Sequence, residues 1–447
     1  MSGVDACAAK TPLESWIERR LGVQGLPLTR AVIAQHQLKA LRATVEWART
    51  HSSFYARRLA ELPESFLRSL DEVSRLKFTT AADLAGNTAG FLCVSQSEVS
   101  RVVTLQTSGT CGAAKRVFFT AEDQELALDF FAHGVAGVAA PGDRMLIALP
   151  GDRKGSVGYQ LARGIARAGV VPIPHGLSVD PAATLARMEE EKATCVIGLP
   201  VQMLRLAMQE SPFAKSVMRR LRAIVLCSDH VPESLVRTLR RRSEADVFEH
   251  YGMTEMGLGG GVDCEAHMGY HLRETDLYFE IVDPETGEPL PEGEIGEVVF
   301  TTLNRTAMPL IRYRTGDVSR FVPGECGCGT ILKRLERVRG RIDGEVRVGA
   351  SGWLNIAMLD EALFDVPGVV DFSTKVFEGS NKRLEVTVFA PQKGGARFSA
   401  TVMDALCKVP VIRDGCAREE LQVSVLVAER PFPVTGAKRR IEVLVAR

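Results

Sequence analysis

Three short apolar runs constrain this chain more than any other feature. MLIALP (145–150) and CVIGLP (195–200) each end at a proline, and AIVLCSD (223–229) leads into an amphipathic segment opening at Pro232. Runs of this length bounded by breakers suit buried strands better than helices. The segments between them are amphipathic, and strand–helix–strand alternation predicts a largely parallel α/β sheet. Pro232 is expected in the first turn of its helix. The first sixty residues read as helices, with Leu38, Leu41, Val45 and Ala48 at helical spacing and a turn at Ser-Ser-Phe-Tyr, 52–55. After about residue 275 the texture changes. LYFEIVD, a turn-rich PETGEPLPEGEIGE and VVFTTL read as strand, loop, strand, the pattern of an antiparallel sheet or barrel.

A second change follows the charged LERVRGRID (335–343). The tail reads as helix (357–366), strand (369–378), strand (384–390), helix (398–408) and strand (421–428). The expected fold class is therefore α/β. A large multi-layer N-terminal domain, residues 1–340, combines parallel α/β sheets with an antiparallel barrel-like subdomain, and a small α+β domain, residues 341–447, follows.

Composition removes several classes of function. Lys plus Arg and Asp plus Glu are both 55, so the formal net charge is zero, which argues against a nucleic-acid-coating or polybasic membrane protein. No apolar run approaches the roughly 18 residues of a membrane span. The first residues, with Asp5, Lys10, Glu14 and Glu18, lack the apolar core of a secretory signal. The ten cysteines are scattered except for one close pair, so a reducing cytoplasm is the expected compartment.

Four stretches carry chemistry. TSGTCGAAK (107–115) follows the strand-like RVVTL and joins small hydroxyl residues, glycines and a cation. Its backbone N–H groups and hydroxyls suit a phosphate cradle, or else it is an ordinary polar hairpin loop. It lacks the Gly-Lys-Ser/Thr of a Walker A loop. In YGMTE (251–255), Tyr251 can stack on a base, Thr254 can bond a phosphate, and Glu255 can hold Mg²⁺ through oxygen; a glycine turn beside an acid is also commonplace. In IRYRTGD (311–317), Asp317 follows an expected tight Thr-Gly turn and suits both hydroxyls of a ribose. GRID (340–343) lies at the inferred domain boundary.

In this order and at these intervals, the four stretches resemble the acyl-adenylate-forming superfamily. LKALRATVEWARTHSSFYARRLA (38–60), PLIRYRTGD (309–317) and the C-x-C-G of Cys326 to Gly329 resemble its phenylacetate–CoA ligase branch. The resemblance implies roles residue by residue. Thr107, Ser108, Gly109, Thr110 and Lys115 match the phosphate loop. Ser228 and Asp229 fall where adenine is held, Tyr251 and Gly252 match the adenine-stacking turn, and Thr254 matches a phosphate contact. Glu255 matches the magnesium ligand and Asp317 the ribose acid, with Arg341 as its neighbour. Asp343 matches the hinge about which the small domain turns, and Lys438, in PVTGAKRR, the lysine that reaches the reacting carboxylate and α-phosphate. Gly436 and Lys438 are separated by Ala437 where the family has glycine and lysine adjacent, and Gly344 replaces a second acid after the hinge.

Cys264 and His271, in CEAHMGYH, and the later Cys326 and Cys328 make a Cys₃His set for structural zinc, with His267 as competitor for the imidazole. Similar positions recur in the resembled branch; free thiols are the alternative. His250, before Tyr251, faces an acyl pocket or is a packed histidine at a strand end. The expected function is an AMP-forming carboxylate–CoA ligase for an aromatic or arylacetic acid, using ATP, CoA and Mg²⁺, with a homodimer implied by resemblance alone. The alternatives keep adenylation and change the acceptor, to a deazaflavin coenzyme or a carrier-protein thiol; a non-catalytic nucleotide-binding protein is the reading from another class.

Overall fold

The parallel sheet follows from the apolar runs. The computed structural model describes residues 10–63, 66–105, 114–350, 352–379, 382–391, 394–436 and 438–445. Arg144–Ala148, Cys195–Gly198 and Ala223–Leu226 lie parallel, in a register that sets Met145 beside Cys195 and Cys195 beside Ala223. The latter two strands are buried along their whole length, so they show no apolar–polar alternation. Val171–Pro174 flanks this group at an edge, where its two prolines cost no ladder bond. Prolines also open the intervening helices Pro181–Glu190, Pro200–Ala207 and Pro212–Arg219. Pro232 is the N-cap of Glu233–Ser243, one position before the expected first turn.

The chain forms two compact units. One comprises residues 1–142, 154–171 and 248–337; the other comprises 143–153, 172–247 and 338–447. The second unit holds the parallel strands and the tail, and one hydrophobic cluster runs from Leu146 and Val196 through Leu239 to Val348, Leu363, Val386 and Leu406. The tail pairs Asp371–Glu378 with Lys382–Phe389 antiparallel, then adds Leu421–Ala428 and Glu442–Val445 as parallel outer strands. The expected order of helix, two strands, helix and strand is present as Ile356–Leu363, this hairpin, Ala396–Cys407 and Leu421–Ala428. A further helix, Pro410–Ala417, opens on a proline in its first turn.

In the first unit, Pro12–Leu21, Arg30–His51 and Ser53–Arg58 are helices. Ile33, Gln37, Leu41, Thr44, Val45 and Ala48 form the buried stripe of the long one. Ser52 alone makes the expected turn: it ends one helix, and its side chain accepts from Tyr55 N–H to cap the next. The expected antiparallel sheet is Leu277–Val282, Gly296–Thr302 and Tyr313–Ser319. Phe248–Tyr251 leads into a second antiparallel set with Gly261–Val262, Tyr270–Leu272 and Arg334–Leu335. Among the described residues, no helix is long and apolar enough to cross a membrane.

Helices Ala121–Val135 and Val157–Arg167 pack through Gly164, where an added Cβ would lie 2.6 Å from Phe131 Cβ and 3.0 Å from the Leu128 carbonyl. Gly164→Ala should therefore lower the urea midpoint. Overpacking costs about 1–3 kcal/mol, more than the gain of up to about 1 kcal/mol in helix propensity. An unchanged or raised midpoint would contradict this packing.

Candidate functional site

Tyr251 closes the strand Asp246–Tyr251, and the chain turns at once. An added Cβ at Gly252 would sit 2.2 Å from the Leu258 carbonyl oxygen, so only glycine fits where the turn folds back on itself. One 3₁₀ turn, Thr254–Met256, leaves Thr254 half-buried and puts Glu255 inside at 3% exposure. Lys115, first residue of Lys115–Phe119, pairs with Glu255 Oε1. The Tyr313 hydroxyl donates to the same oxygen at 3.2 Å and accepts from Lys115 Nζ at 3.3 Å. Arg305 Nη1 donates to the Glu255 carbonyl at 2.7 Å. Burial pushes the Glu255 carboxyl up, but the charge and hydrogen bond of Lys115, helped by Tyr313, outweigh it and hold the group below its ordinary range.

Asp317 owes its placement to an irregular strand. The expected Thr-Gly turn lies inside Tyr313–Ser319. Val299 pairs with Arg314 and Glu297 with Val318, so one residue of Gly296–Thr302 faces three of its neighbour. Gly316 takes φ +75° in this bulge. Thr315 Oγ1 pins it by donating to the Val298 carbonyl at 2.7 Å and accepting from Asp317 N–H at 3.0 Å. The Tyr251 hydroxyl donates to Asp317 Oδ2 at 3.0 Å. The Tyr251 ring stacks with Tyr270, centroids 5.7 Å apart, and Tyr270 donates to Glu249 Oε2 at 3.0 Å. Glu249 also pairs with Arg337.

The other unit holds the remaining predicted residues. Ser228 is exposed at φ +73°, a conformation uncommon outside glycine, just after strand Ala223–Leu226. Asp229 Oδ1 accepts from His230 N–H at 2.9 Å. Arg341 pairs with the exposed Asp343 at 3.1 Å in the boundary segment, and Lys438 is exposed. Thr107, Ser108, Gly109 and Thr110 lie outside the described residues.

The sulfur and imidazole donors converge. His271 Nε2 lies 3.3 Å from Cys264 Sγ and 3.5 Å from Cys328 Sγ, and Cys264 Sγ lies 3.7 Å from Cys326 Sγ. All four donor atoms fall within 4.8 Å of one another, and all four residues are buried. A metal about 2.3 Å from each sulfur would set tetrahedral S···S edges of about 3.8 Å, so the set fits a four-coordinate ion. Burial raises the Cys264 thiol. The Cys328 thiol, despite burial, is held down at about 6 by His271 and by the N–H groups of Thr330 and Thr11. His267 turns away and pairs with Asp263, Nδ1 to Oδ2, at 2.7 Å. Of the other described cysteines, Cys93, Cys195 and Cys227 are buried, Cys416 is half-buried and Cys407 is exposed.

The motifs hid three contributors. Tyr313 lies within a quoted stretch, but its partners are far away in sequence. Tyr270 lies within CEAHMGYH, whose signal is its cysteine and histidines alone, and Arg305 carried no signal at all.

Residues 68–306 match the AMP-binding enzyme family, and the chain belongs to that family of adenylate-forming enzymes. Within it, the chain groups with the phenylacetate–CoA ligases. The phenylacetate–coenzyme A ligase of Thermus thermophilus is 28% identical over 410 residues, covering 88% of this chain and 90% of that protein. The enzyme of the same name from Pseudomonas putida is 31% identical over 321 residues, covering 70% and 71%. A 2-hydroxyisobutyryl-CoA ligase solved with 2-HIB-AMP has a TM-score of 0.80 at 21% identity, over 93% of this chain and 90% of that one, a likeness of fold.

Among the described residues, the buried His250 Nε2 has no hydrogen-bond partner, and the ring lies 6.0 Å from Phe130 and 6.1 Å from Phe131. Burial in this apolar cage lowers its pKa to about 4. The unfolded chain takes up this proton near 6.5 and the folded chain only near 4. His250 therefore removes stability as pH falls through that interval, about 3 kcal/mol in total. Its imidazole resonances should show no titration step near 6.5 in a ring-proton NMR titration; a step there would place the ring in water.

Proposed function

We propose that this chain is an ATP-dependent, AMP-forming acid–CoA ligase whose acid is aromatic or arylacetic. The observation that carries this reading is the pair of matched carboxylates on one strand–turn and its neighbour. Glu255 is buried and cation-paired, and Asp317 is aimed by a bulge and bonded by Tyr251. The acid class rests on relatives: four are named phenylacetate–CoA ligases and two feruloyl-CoA synthases.

The chemistry suits these groups. A carboxylate resists thiol attack because an oxide would have to leave. Its oxygen instead attacks the α-phosphorus of ATP, pyrophosphate departs, and a mixed anhydride forms. The CoA thiol then attacks the acyl carbon, loses its proton, and AMP leaves. The first displacement is catalysed by positioning and charge stabilisation. Asp317 accepts the ribose hydroxyls and the Tyr251 face meets adenine; Ser228 and Asp229 match the family's adenine-holding positions. Glu255 already holds one cation, the Lys115 ammonium, so it is the oxygen ligand suited to Mg²⁺, which when bound neutralises phosphate charge. Lys438 supplies positive charge at the carboxylate and α-phosphate. Asp343 marks the hinge by which the tail, residues 341–447, changes face between half-reactions. Cys264, His271, Cys326 and Cys328 hold a structural zinc, with no position left open for substrate. Thiols in that state suit a reducing cytoplasm.

The decisive experiment screens carboxylic acids for pyrophosphate release, then asks whether the best acid yields a thioester with CoA. Arylacetic or arylic acids should lead. Adenylation without CoA consumption would move the acceptor elsewhere, and absence of pyrophosphate with every acid would end the reading. Asp317→Ala should weaken ATP binding by about 1.5–3 kcal/mol for each charge-assisted hydrogen bond lost, with the fold intact by circular dichroism; unchanged affinity removes Asp317 from the site. Metal analysis should find about one zinc per chain, and Cys326→Ser should lower both zinc content and melting temperature. A folded, metal-free protein with these thiols reduced excludes the zinc.

A further inference from the structure

The loop that carries Lys438 is held at both ends by arginines to which the sequence motifs give no role. Arg205, in the helix Pro200–Ala207, is 5% exposed. Its Nη2 donates to Asp371 Oδ2, at the start of strand Asp371–Glu378, and to the Phe432 carbonyl at 2.9 Å. Arg439 directly follows Lys438. Its Nη2 donates to Asp360 Oδ1 at 2.5 Å, and Asp360 is 2% exposed. Its guanidinium carbon lies 5.0 Å from the ring centroid of Phe364 and 4.3 Å from that of Phe372. Its backbone N–H donates to Asp229 Oδ2 at 3.4 Å.

The arrangement has a direction. Arg205 and Asp229 belong to the helices and turns of the parallel sheet, whereas Phe432 and Arg439 belong to the tail. A lysine with four flexible carbons delivers its ammonium to one point only if its backbone is fixed. Planar guanidinium forks, one stacked on rings and one shared between a carboxylate and a carbonyl, are suited to that fixing in a way an ammonium is not.

We propose that Arg205 and Arg439 are positioning residues for Lys438, fixing the two ends of its loop so that the ammonium is presented in the adenylation step and withdrawn when the tail turns for thioester formation. The inference rests on the role given to Lys438 above. Neither arginine touches a reacting atom.

The test is a double-mutant cycle in single turnover on the full-length enzyme, with Lys438→Ala, Arg439→Gln and the pair. Arg439→Gln should slow acyl-adenylate formation by about tenfold or more. Thioester formation from supplied acyl-adenylate should stay within about twofold. In the Lys438→Ala background, Arg439→Gln should add less than about twofold, because its effect runs through Lys438; a merely structural loss would multiply. Equal slowing of both half-reactions, or full multiplication, overturns the proposal. Slow adenylation in Lys438→Ala with wild-type adenylation in Arg439→Gln overturns the proposal and leaves the role of Lys438 standing. Wild-type adenylation in Lys438→Ala removes that role and the proposal with it. Should Arg439→Gln fail to fold, Arg205→Lys replaces it in the same cycle. It keeps the charge beside Asp371 but loses the fork to Phe432, and the same outcomes decide.

Discussion

A carboxylate that is almost fully buried has to be matched by positive charge or give up its own. Glu255 is matched, and much of the first unit is arranged by that requirement. Lys115 comes from the strand after the glycine-rich stretch, Tyr313 from the bulged strand, and Arg305 fixes the Glu255 backbone from the loop between. Three segments far apart in sequence are thus tied to one turn, and that turn needs Gly252 to close. Removing either charge would leave the other stranded in low dielectric, which is costlier than never having buried the pair.

Local chemistry was easy to read in the sequence and distant partnership was not. The runs at 145–150, 195–200 and 223–229 became strands, because a short apolar segment ending at a breaker has few other ways to be buried. The tail strand 421–428 agrees to the residue. The Thr-Gly pair at 315–316 is read as a turn from its own preferences, yet both flanks are engaged in the ladder, and pairing on either side outweighs the local bias. The choice between His267 and His271 could not be made from spacing. Tyr270–Leu272 pairs with Arg334–Leu335, placing His271 opposite Arg334, while His267 sits in a turn at φ +50°. That information is in the register, not in the motif.

The two units divide the predicted residues by kind. The first collects an ionised acid, an oriented acid, an aromatic stack and the thiol–imidazole set. The second collects Ser228, Asp229, the boundary pair Arg341 and Asp343, and Lys438. The tail shares its hydrophobic cluster with the parallel sheet, so linear order alone does not separate it. Any turning of that tail has to break apolar contact as well as polar bonds, which favours two discrete arrangements over a continuum.

The bulge at Gly316 also limits how this strand can vary in length. Side chains alternate faces along a strand, so deleting one residue from the bulge would leave two residues facing one and send Asp317 to the opposite face. The ladder would stay irregular and the acid would lose its aim. Surviving insertions and deletions near 315–317 should therefore come in twos or not at all, and an alignment that opens a single-residue gap there misplaces the acid.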